Sequence, residues 1–408
     1  MGFPTAGFGS GWDQFTPTGE IEFALKNFYL PGMEEQKNNA RVLLAVLERN
    51  EKDVSGDFAY VPVLLGRNWG IGMRANRQKL PDPGSQVGTK AQVPMRYAFG
   101  RLLVTLHAMT ATKNSQGSYD TVVDVETEGL MEDLPKDINR QLFLDGTGRI
   151  GEVASLSSDT ITIDNSVMVA PLNANELTKY FEVGQRIDIY TAGTRDDEGI
   201  IVEVVDSANE VTFTTTPSGA TNGDLCYISG NKDIEVTGLL AVVSATGTYQ
   251  NINRATAGNE RWKANVVTGA GDVTEADMQQ IYTACQKASG YSPNLIVGTY
   301  EFRDRYASIL QSDRRFVNTL EYKGGFKGPE FQGIGVVPDT ECPRGKTFFL
   351  NTNYLSIYQQ AGLQFMDEDG AILARVPDYA AYEATLYWFF ELGARRCNVH
   401  GLMSGFNQ

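Results

Sequence analysis

The chain has 408 residues, 42% of them hydrophobic and 21% charged, and a net charge of −15. It is too long for one compact core, so two or more domains are expected; its acidity argues against a dedicated nucleic-acid binder, which needs a basic face, while both an acidic inner wall of a nucleic-acid container and plain solubility fit it. No apolar run reaches the roughly 18 residues of a membrane span, the opening MGFPTAGFGSGWDQF does not read as a signal peptide, and Cys226, Cys285, Cys342 and Cys397 stand too far apart for a metal knuckle or redox motif, so they read as thiols of a reducing compartment.

Residues 1–53 read as an N-terminal arm. Its first part is rich in Gly, Pro and aromatics, with Phe3, Phe8 and Trp12 as anchors laid along another surface. Residues 34–52 read as a helix with Val42, Leu43, Val46 and Leu47 on one face. Residues 57–65 and 92–108 read as two long strands of an extended arm, taken as 54–108. The connection between them is far longer than the about two to five residues of a hairpin loop. Such an arm cannot bury a face within its own chain and asks for a partner surface.

Residues 118–145 read as a helix with Leu130, Leu134, Ile138 and Leu142 at four-residue spacing. Pro135 should kink or split it, and DGTG stops it. Short alternating segments between turn-rich pieces make residues 150–232 an inserted antiparallel β barrel or sandwich. Residues 274–289 read as a helix capped by Thr274, with Ile281, Ala284, Cys285 and Ala288 buried. Strands around NLIVGT, GIGVVPD, KTFFL and YLSIYQ, with a helix at YEFRDRYASILQSD, give the rest an α+β texture. Residues 379–400 read as a long, mostly buried strand.

No catalytic residue, cofactor site or metal-ligand set is assigned. The two histidines, His107 and His400, read as isolated. GFGSG at 7–11 and GIG at 70–72 lack the strand-to-helix setting of a phosphate loop. No G-x-S-x-G elbow occurs. DDE at 196–198 and DEDG at 367–370 lack EF-hand spacing and read as solvated turns. The reading is therefore of a structural protein and not an enzyme.

Charge is distributed unevenly. Residues 61–105 hold Arg67, Arg74, Arg77, Lys79, Lys90, Arg96 and Arg101 against Asp82 alone, a net +6. Residues 118–145 hold eight acids against two bases, and residues 150–232 thirteen against four. Solvation or loose nucleic-acid contact explains a basic arm in one way. A second reading is self-association, with Trp69, Arg74, Arg77, Lys79 and Lys90 of one copy meeting Glu126, Glu128 and Glu132 of the next.

The order of these parts resembles the capsid fold named after the coliphage Hong Kong 97. LPDPGSQ at 80–86 resembles the tip of its extended loop. NRQLFLDGTGRIGEV at 139–153 resembles the end of a spine helix entering an insertion. TGTYQNINRATAGNERWKANV at 246–266 and GIGVVPDTECPRGKTFFLNTNYLSIY at 333–358 are similar to stretches of tailed-bacteriophage major capsid proteins.

The resemblance implies a subunit that assembles with itself into hexamers and pentamers of an icosahedral shell. That shell would enclose double-stranded DNA without sequence specificity, without a membrane, and be built in the host bacterial cytoplasm. Scaffolding, portal and decoration proteins are partners of the family; a scaffold here would be a separate protein or a removed segment outside this chain. The domains implied are a peripheral domain at 109–149 with return strands at 366–408, the insertion at 150–232, a connection at 233–269 and an axial domain at 270–365. Some members join a loop lysine to a neighbour's asparagine, for which Lys79 or Lys90 and Asn398 are the candidates. An encapsulin-like compartment shell keeps the fold and changes the cargo. A β-rich surface or adhesion protein is the alternative of another class, against which the lack of signal peptide and disulfides counts.

Overall fold

The computed structural model describes residues 42–105, 116–164, 177–312, 319–321, 327–367, 372, 374–376 and 379–407. Two open sheets, a long helix and a closed barrel form a mixed α+β architecture.

The first sheet has five strands. Ala381–Ala394 is flanked by Leu355–Phe365 and Arg96–Thr105, both antiparallel to it, with Glu48–Asn50 and Ala374–Arg375 at the edges. Alternation sends Trp388, Phe390 and Leu392 into the main core. The helix Gln116–Phe143 packs on the Arg96–Thr105 strand. Gly100 permits the approach: a Cβ there would stand 2.8 Å from Leu130 Cδ1. Ile138 and Leu142 are fully buried, Leu130 and Leu134 half-buried, and Met131 joins the buried set. Pro135 does not split this helix, which runs on to Phe143. One missing backbone donor is outweighed by the buried turn that follows, where Ile138, Leu142 and Phe143 anchor the helix in the core.

The second sheet has seven strands in the order Asn265–Asp272, Gly401–Asn407, Lys346–Leu350, Leu295–Gly298, Ile334–Pro338, Lys327–Phe331 and Thr319–Glu321. Leu295–Gly298 and Ile334–Pro338 at its centre are apolar and buried throughout because both faces are covered. Leu295, Val297, Phe348 and Leu350 join the main core, while Ile296, Val336 and Phe349 pack under the helices Glu275–Ser289 and Tyr300–Ser312. In the first of these helices Thr274 and Asp277 form a reciprocal capping box and Gly290 closes the end at φ 78°. The buried stripe is Met278, Ile281 and Cys285; Ala288 is exposed and Ala284 half-buried, so the apolar face lies one turn earlier than expected.

Residues 149–228 include a closed six-stranded barrel, each strand pairing with two others. Its core, including Ile150, Val153, Ile161, Ile187, Ile189 and Val211, is separate from the main core.

Three expectations are corrected. The helix expected over 34–52 ends at Val46, and Glu48–Asn50 pairs in parallel with Ser356–Tyr358; an open sheet edge overrides local helical preference. The strand expected over 92–108 breaks at Met95, after Pro94, which can give no ladder hydrogen bond. Val87–Pro94 pairs with Phe58–Gly66, whereas Arg96–Thr105 joins the five-stranded sheet. Finally, the C-terminal segment serves both sheets. A turn in which His400 N donates to Cys397 O carries Gly401–Asn407 into the seven-stranded sheet.

Candidate functional site

The hairpin Phe58–Gly66 and Val87–Pro94 forms an arm whose tip is residues 67–86. Ala59, Val61, Val63 and Leu65 on one strand, with Ala91 and Val93 on the other, turn into the chain's own main core. The arm therefore does bury a face within its own chain, contrary to the sequence expectation, because strict alternation places every second residue on one side. The unpartnered apolar surface is confined to the outer face and the tip. Trp69 is 75% exposed, Ile71 81% and Met73 97%, with Leu64, Leu80 and Val87 also exposed.

The tip is ordered by its own hydrogen bonds. Gly70 N donates to Asn68 Oδ1 at 2.7 Å, and Gly70 and Gly84 approach so closely that a Cβ on Gly70 would lie 2.7 Å from Gly84 N. Arg74 donates to the carbonyls of Lys79 (2.9 Å) and Met73 (2.8 Å), and Ala75 N donates to Gln78 Oε1 at 3.0 Å. The Arg67 guanidinium lies 5.2 Å from the centre of the Trp69 ring, and Lys79 pairs with Asp82 at 2.8 Å.

This geometry redistributes the expected +6. Arg96 pairs with Glu391 at 3.4 Å and Arg101 with Glu383, both across the five-stranded sheet. The tip itself keeps Arg67, Arg74, Arg77 and Lys79 against Asp82, a net +3, and Arg74 is engaged by the loop backbone. Lys90 is exposed on the arm, and Glu132 is exposed on the long helix. The side chains of Glu126 and Glu128, and all of Phe3, Phe8 and Trp12, lie outside the described residues. Asn398 is 7% exposed and donates its amide to Ala288 O at 3.1 Å.

One surface escaped the sequence reading. Tyr97, Phe99 and Leu103 are exposed, and Tyr97 and Phe99 make edge contacts with Phe389 at 5.0 and 5.7 Å. Tyr387 lies beside Phe389 with ring centres 5.0 Å apart and the planes tilted by 39°. The alternation in RYAFGRLLV carries the signal: Ala98, Gly100 and Leu102 turn toward the helix and the odd positions away from it.

The residues scanned for chemistry are engaged in structural contacts. His400 is fully buried and its Nδ1 accepts from Asn351 N at 3.2 Å; burial pushes the imidazole down to about 3. His107 lies outside the described residues. Asp197 accepts from Gly219 N, and Glu198 pairs with Arg195. In the other acidic run, residues 368–370 lie outside the described set. All four cysteines are buried and free, and burial raises each thiol. Among the described residues no group of three or more His, Cys, Asp or Glu is placed to hold a metal ion.

No family model and no curated protein matches the chain. Solved structures do. A capsid subunit from the asymmetric unit of cyanophage A-1(L) superposes with a TM-score of 0.56 at 15% identity, covering 91% of this chain and 94% of that one. The chain has the Hong Kong 97-type capsid fold. An encapsulin from Synechococcus elongatus PCC 7942 (TM-score 0.49, 8% identity, 90% and 87% covered) and the capsid of Myoviridae phage XM1 (0.45, 9%, 89% and 90%) are more distant. The hairpin arm covers the stretch expected from the sequence to form the extended loop, and Gln116–Phe143 covers most of the stretch expected to form the spine helix.

Two ionic contacts join the long helix and the barrel to the rest of the chain. Arg140 on the spine helix donates to Glu235 at 2.6 Å and to Asp137 at 2.8 Å, tying the helix to the segment leaving the barrel. Burial raises the Glu235 carboxyl, and Arg140 opposes that. Beside it, across the Tyr180 ring, Lys179 pairs with Glu341 at 3.2 Å and donates to Thr340 O at 2.7 Å.

Proposed function

We propose that this chain is the major shell subunit of a tailed-bacteriophage capsid. It assembles into hexamers and pentamers of an icosahedral shell that encloses double-stranded DNA, and it catalyses no reaction. The five-stranded sheet with the spine helix serves as the peripheral domain, the seven-stranded sheet as the axial domain, and the barrel as an insertion. What supports the reading is the extended loop: a pre-ordered tip carries Trp69, Ile71 and Met73 into solvent on a capsid fold, and an exposed apolar group of that kind marks an association surface. A second copy supplies the partner, with apolar contact providing most of the affinity. The tip's net +3 against acids such as Glu132 sets register and encounter; single exposed pairs are worth only about 0–1 kcal/mol.

The experiment separates the two contributions. Trp69→Asp with Ile71→Asp should leave circular dichroism unchanged and abolish fast-sedimenting particles. Arg74→Glu, Arg77→Glu and Lys79→Glu together should weaken assembly, with partial rescue by charge reversal at Glu126, Glu128 and Glu132. Normal particles from the apolar double variant would overturn the loop's role; normal particles from the triple variant would remove the electrostatic part.

A further inference from the structure

The barrel meets the rest of the chain at two places. The first is a neck of two crossings, residues 145–148 leading in and 229–235 leading out. Gly146, Gly148, Gly230 and Asp233 take positive φ there, at 86°, 81°, 81° and 61°. Asp233 N donates to Thr147 O at 3.0 Å, so the crossings turn sharply while holding each other. The second place is a turn of the barrel at residues 177–180. Leu177 and Phe181 anchor that turn in the barrel's core, so it moves with the barrel. Its Lys179 ammonium reaches across to residues 340–341, lying 3.2 Å from Glu341 Oε2 and donating to Thr340 O at 2.7 Å. The receiving residues are fixed to the body. Glu341 N donates to Asp339 Oδ1 at 2.9 Å, Asp339 accepts from Asn139 of the long helix at 3.0 Å, and Cys342 lies in the main core. Along this junction the packing is incomplete: a cavity of about 400 Å³ lies between helix and barrel, with Lys136, Arg140, Tyr180, Gln185 and Ile228 in its walls.

We propose that the barrel is a hinged domain with a latch: the neck is the pivot, Lys179 on Glu341 and Thr340 is the latch, and its release lets barrel and body part along the cavity while each stays folded. The barrel's core shares no residue with the cores under the two sheets, so parting them uncovers little apolar surface. Units joined through a small polar contact move relative to each other, where a large apolar one would hold them. The contacts fall into two groups. Arg140 with Glu235 ties the long helix to the neck itself and stays made as the pivot turns. Away from the neck, Lys136 lies 4.0 Å from Glu182 in an exposed pair, which adds little. Lys179 carries more, because Glu341 is 8% exposed and water screens the pair poorly. The Tyr180 ring, 5.7 Å from the Arg140 guanidinium and 5.2 Å from the Lys179 ammonium, parts from Arg140 as the latch opens. Rotation falls on the few neck residues already in the left-handed region, three of them glycines with the widest backbone freedom.

The inference concerns the subunit alone and does not depend on the shell reading. It is tested on the unassembled full chain with spin labels at Val202→Cys on the barrel and Lys287→Cys on the helix Glu275–Ser289, both exposed positions; the four native thiols are buried. With Lys179 in place the labels should give one narrow distance distribution. Lys179→Ala should broaden it roughly twofold, and Lys179→Arg, which still reaches Glu341, should restore it. Hydrogen exchange at the Val153 and Ile163 amides, both bonded within the barrel, should stay as slow as in the unaltered chain. A narrow distribution in Lys179→Ala overturns the latch. Broadening together with loss of that protection overturns it too, because Lys179 would then hold the barrel's fold and not its angle. Should Lys179→Ala fail to fold, Lys179→Ala combined with Glu341→Gln decides, since it leaves no buried carboxylate unpaired: a folded chain with a broad distribution supports the latch, and a narrow distribution or an unfolded chain overturns it.

Discussion

Arg254 shows how a single side chain can organise a segment that has little regular structure. It is buried and donates to four carbonyls, Trp262 at 3.1 Å from Nε, Ala241 at 2.8 Å and Thr246 at 3.2 Å from Nη1, and Val242 at 2.8 Å from Nη2, with Cys397 Sγ 3.7 Å from Nη2. The planar fork reaches four carbonyls at once, which an ammonium on a flexible stem cannot do. Arg254→Lys should therefore cost about 2–4 kcal/mol, read as a lower urea midpoint with unchanged slope. His400 gives the pH counterpart. Its imidazole is held near 3 in the fold against 6.5 when free, so the unfolded chain binds the extra proton. Its contribution is present above pH 6.5 and is lost as pH falls, at about 1.4 kcal/mol per pH unit. Glu391 has the opposite sign: raised to about 7 from 4.5, it contributes stability below pH 4.5 that is lost as pH rises through 7. Between 4.5 and 6.5 the two oppose each other. A His400→Gln variant should unmask the Glu391 dependence, gaining stability relative to wild type as pH falls through that window in a urea-midpoint series; parallel profiles would contradict the assignment.

The elements divide by how local their signals are. The barrel has its own core, closed pairing and turns, so the fragment 147–232 should fold by itself and give a well-dispersed amide NMR spectrum; a collapsed spectrum would contradict its independence. Within that fragment Ile161→Ala should cost about 2–4 kcal/mol, since the side chain is fully buried. Local patterns made several elements legible in advance: Thr274 as an N-cap, the alternation of the barrel strands, and the spacing of Ile138 and Leu142. What failed depended on distant partners. Arg96 and Arg101 looked like free loop charges because Glu391 and Glu383 lie 295 and 282 residues along the chain. The break at Met95 arises because the two strands it separates belong to different sheets. Pro94 marked the place, but nothing local gives the destination of Arg96–Thr105. The exposed aromatic face was missed for the same reason, since its meaning depends on which side the spine helix covers.

At the scale of the molecule, the two sheets share one apolar core through the inner faces of both, and the spine helix runs into that core at Ile138–Phe143. The barrel joins this body through polar contacts at Arg140, Lys136 and Lys179, while the loop tip leaves it with apolar side chains exposed. Such a molecule is rigid where it is buried and unfinished where the tip projects. The two readings, a shell around nucleic acid and a compartment around protein cargo, differ in what a particle would hold, so the decisive object is the assembled particle. The measurement is cryo-electron microscopy of the full-length chain expressed in bacteria, with the contents analysed by absorbance and nuclease digestion. The account predicts closed icosahedral particles of hexamers and pentamers in which each extended loop crosses onto a neighbouring subunit, able to hold double-stranded DNA. Monomers that never close into particles would contradict the shell assignment, and closed particles filled with a protein enzyme would transfer it to a compartment.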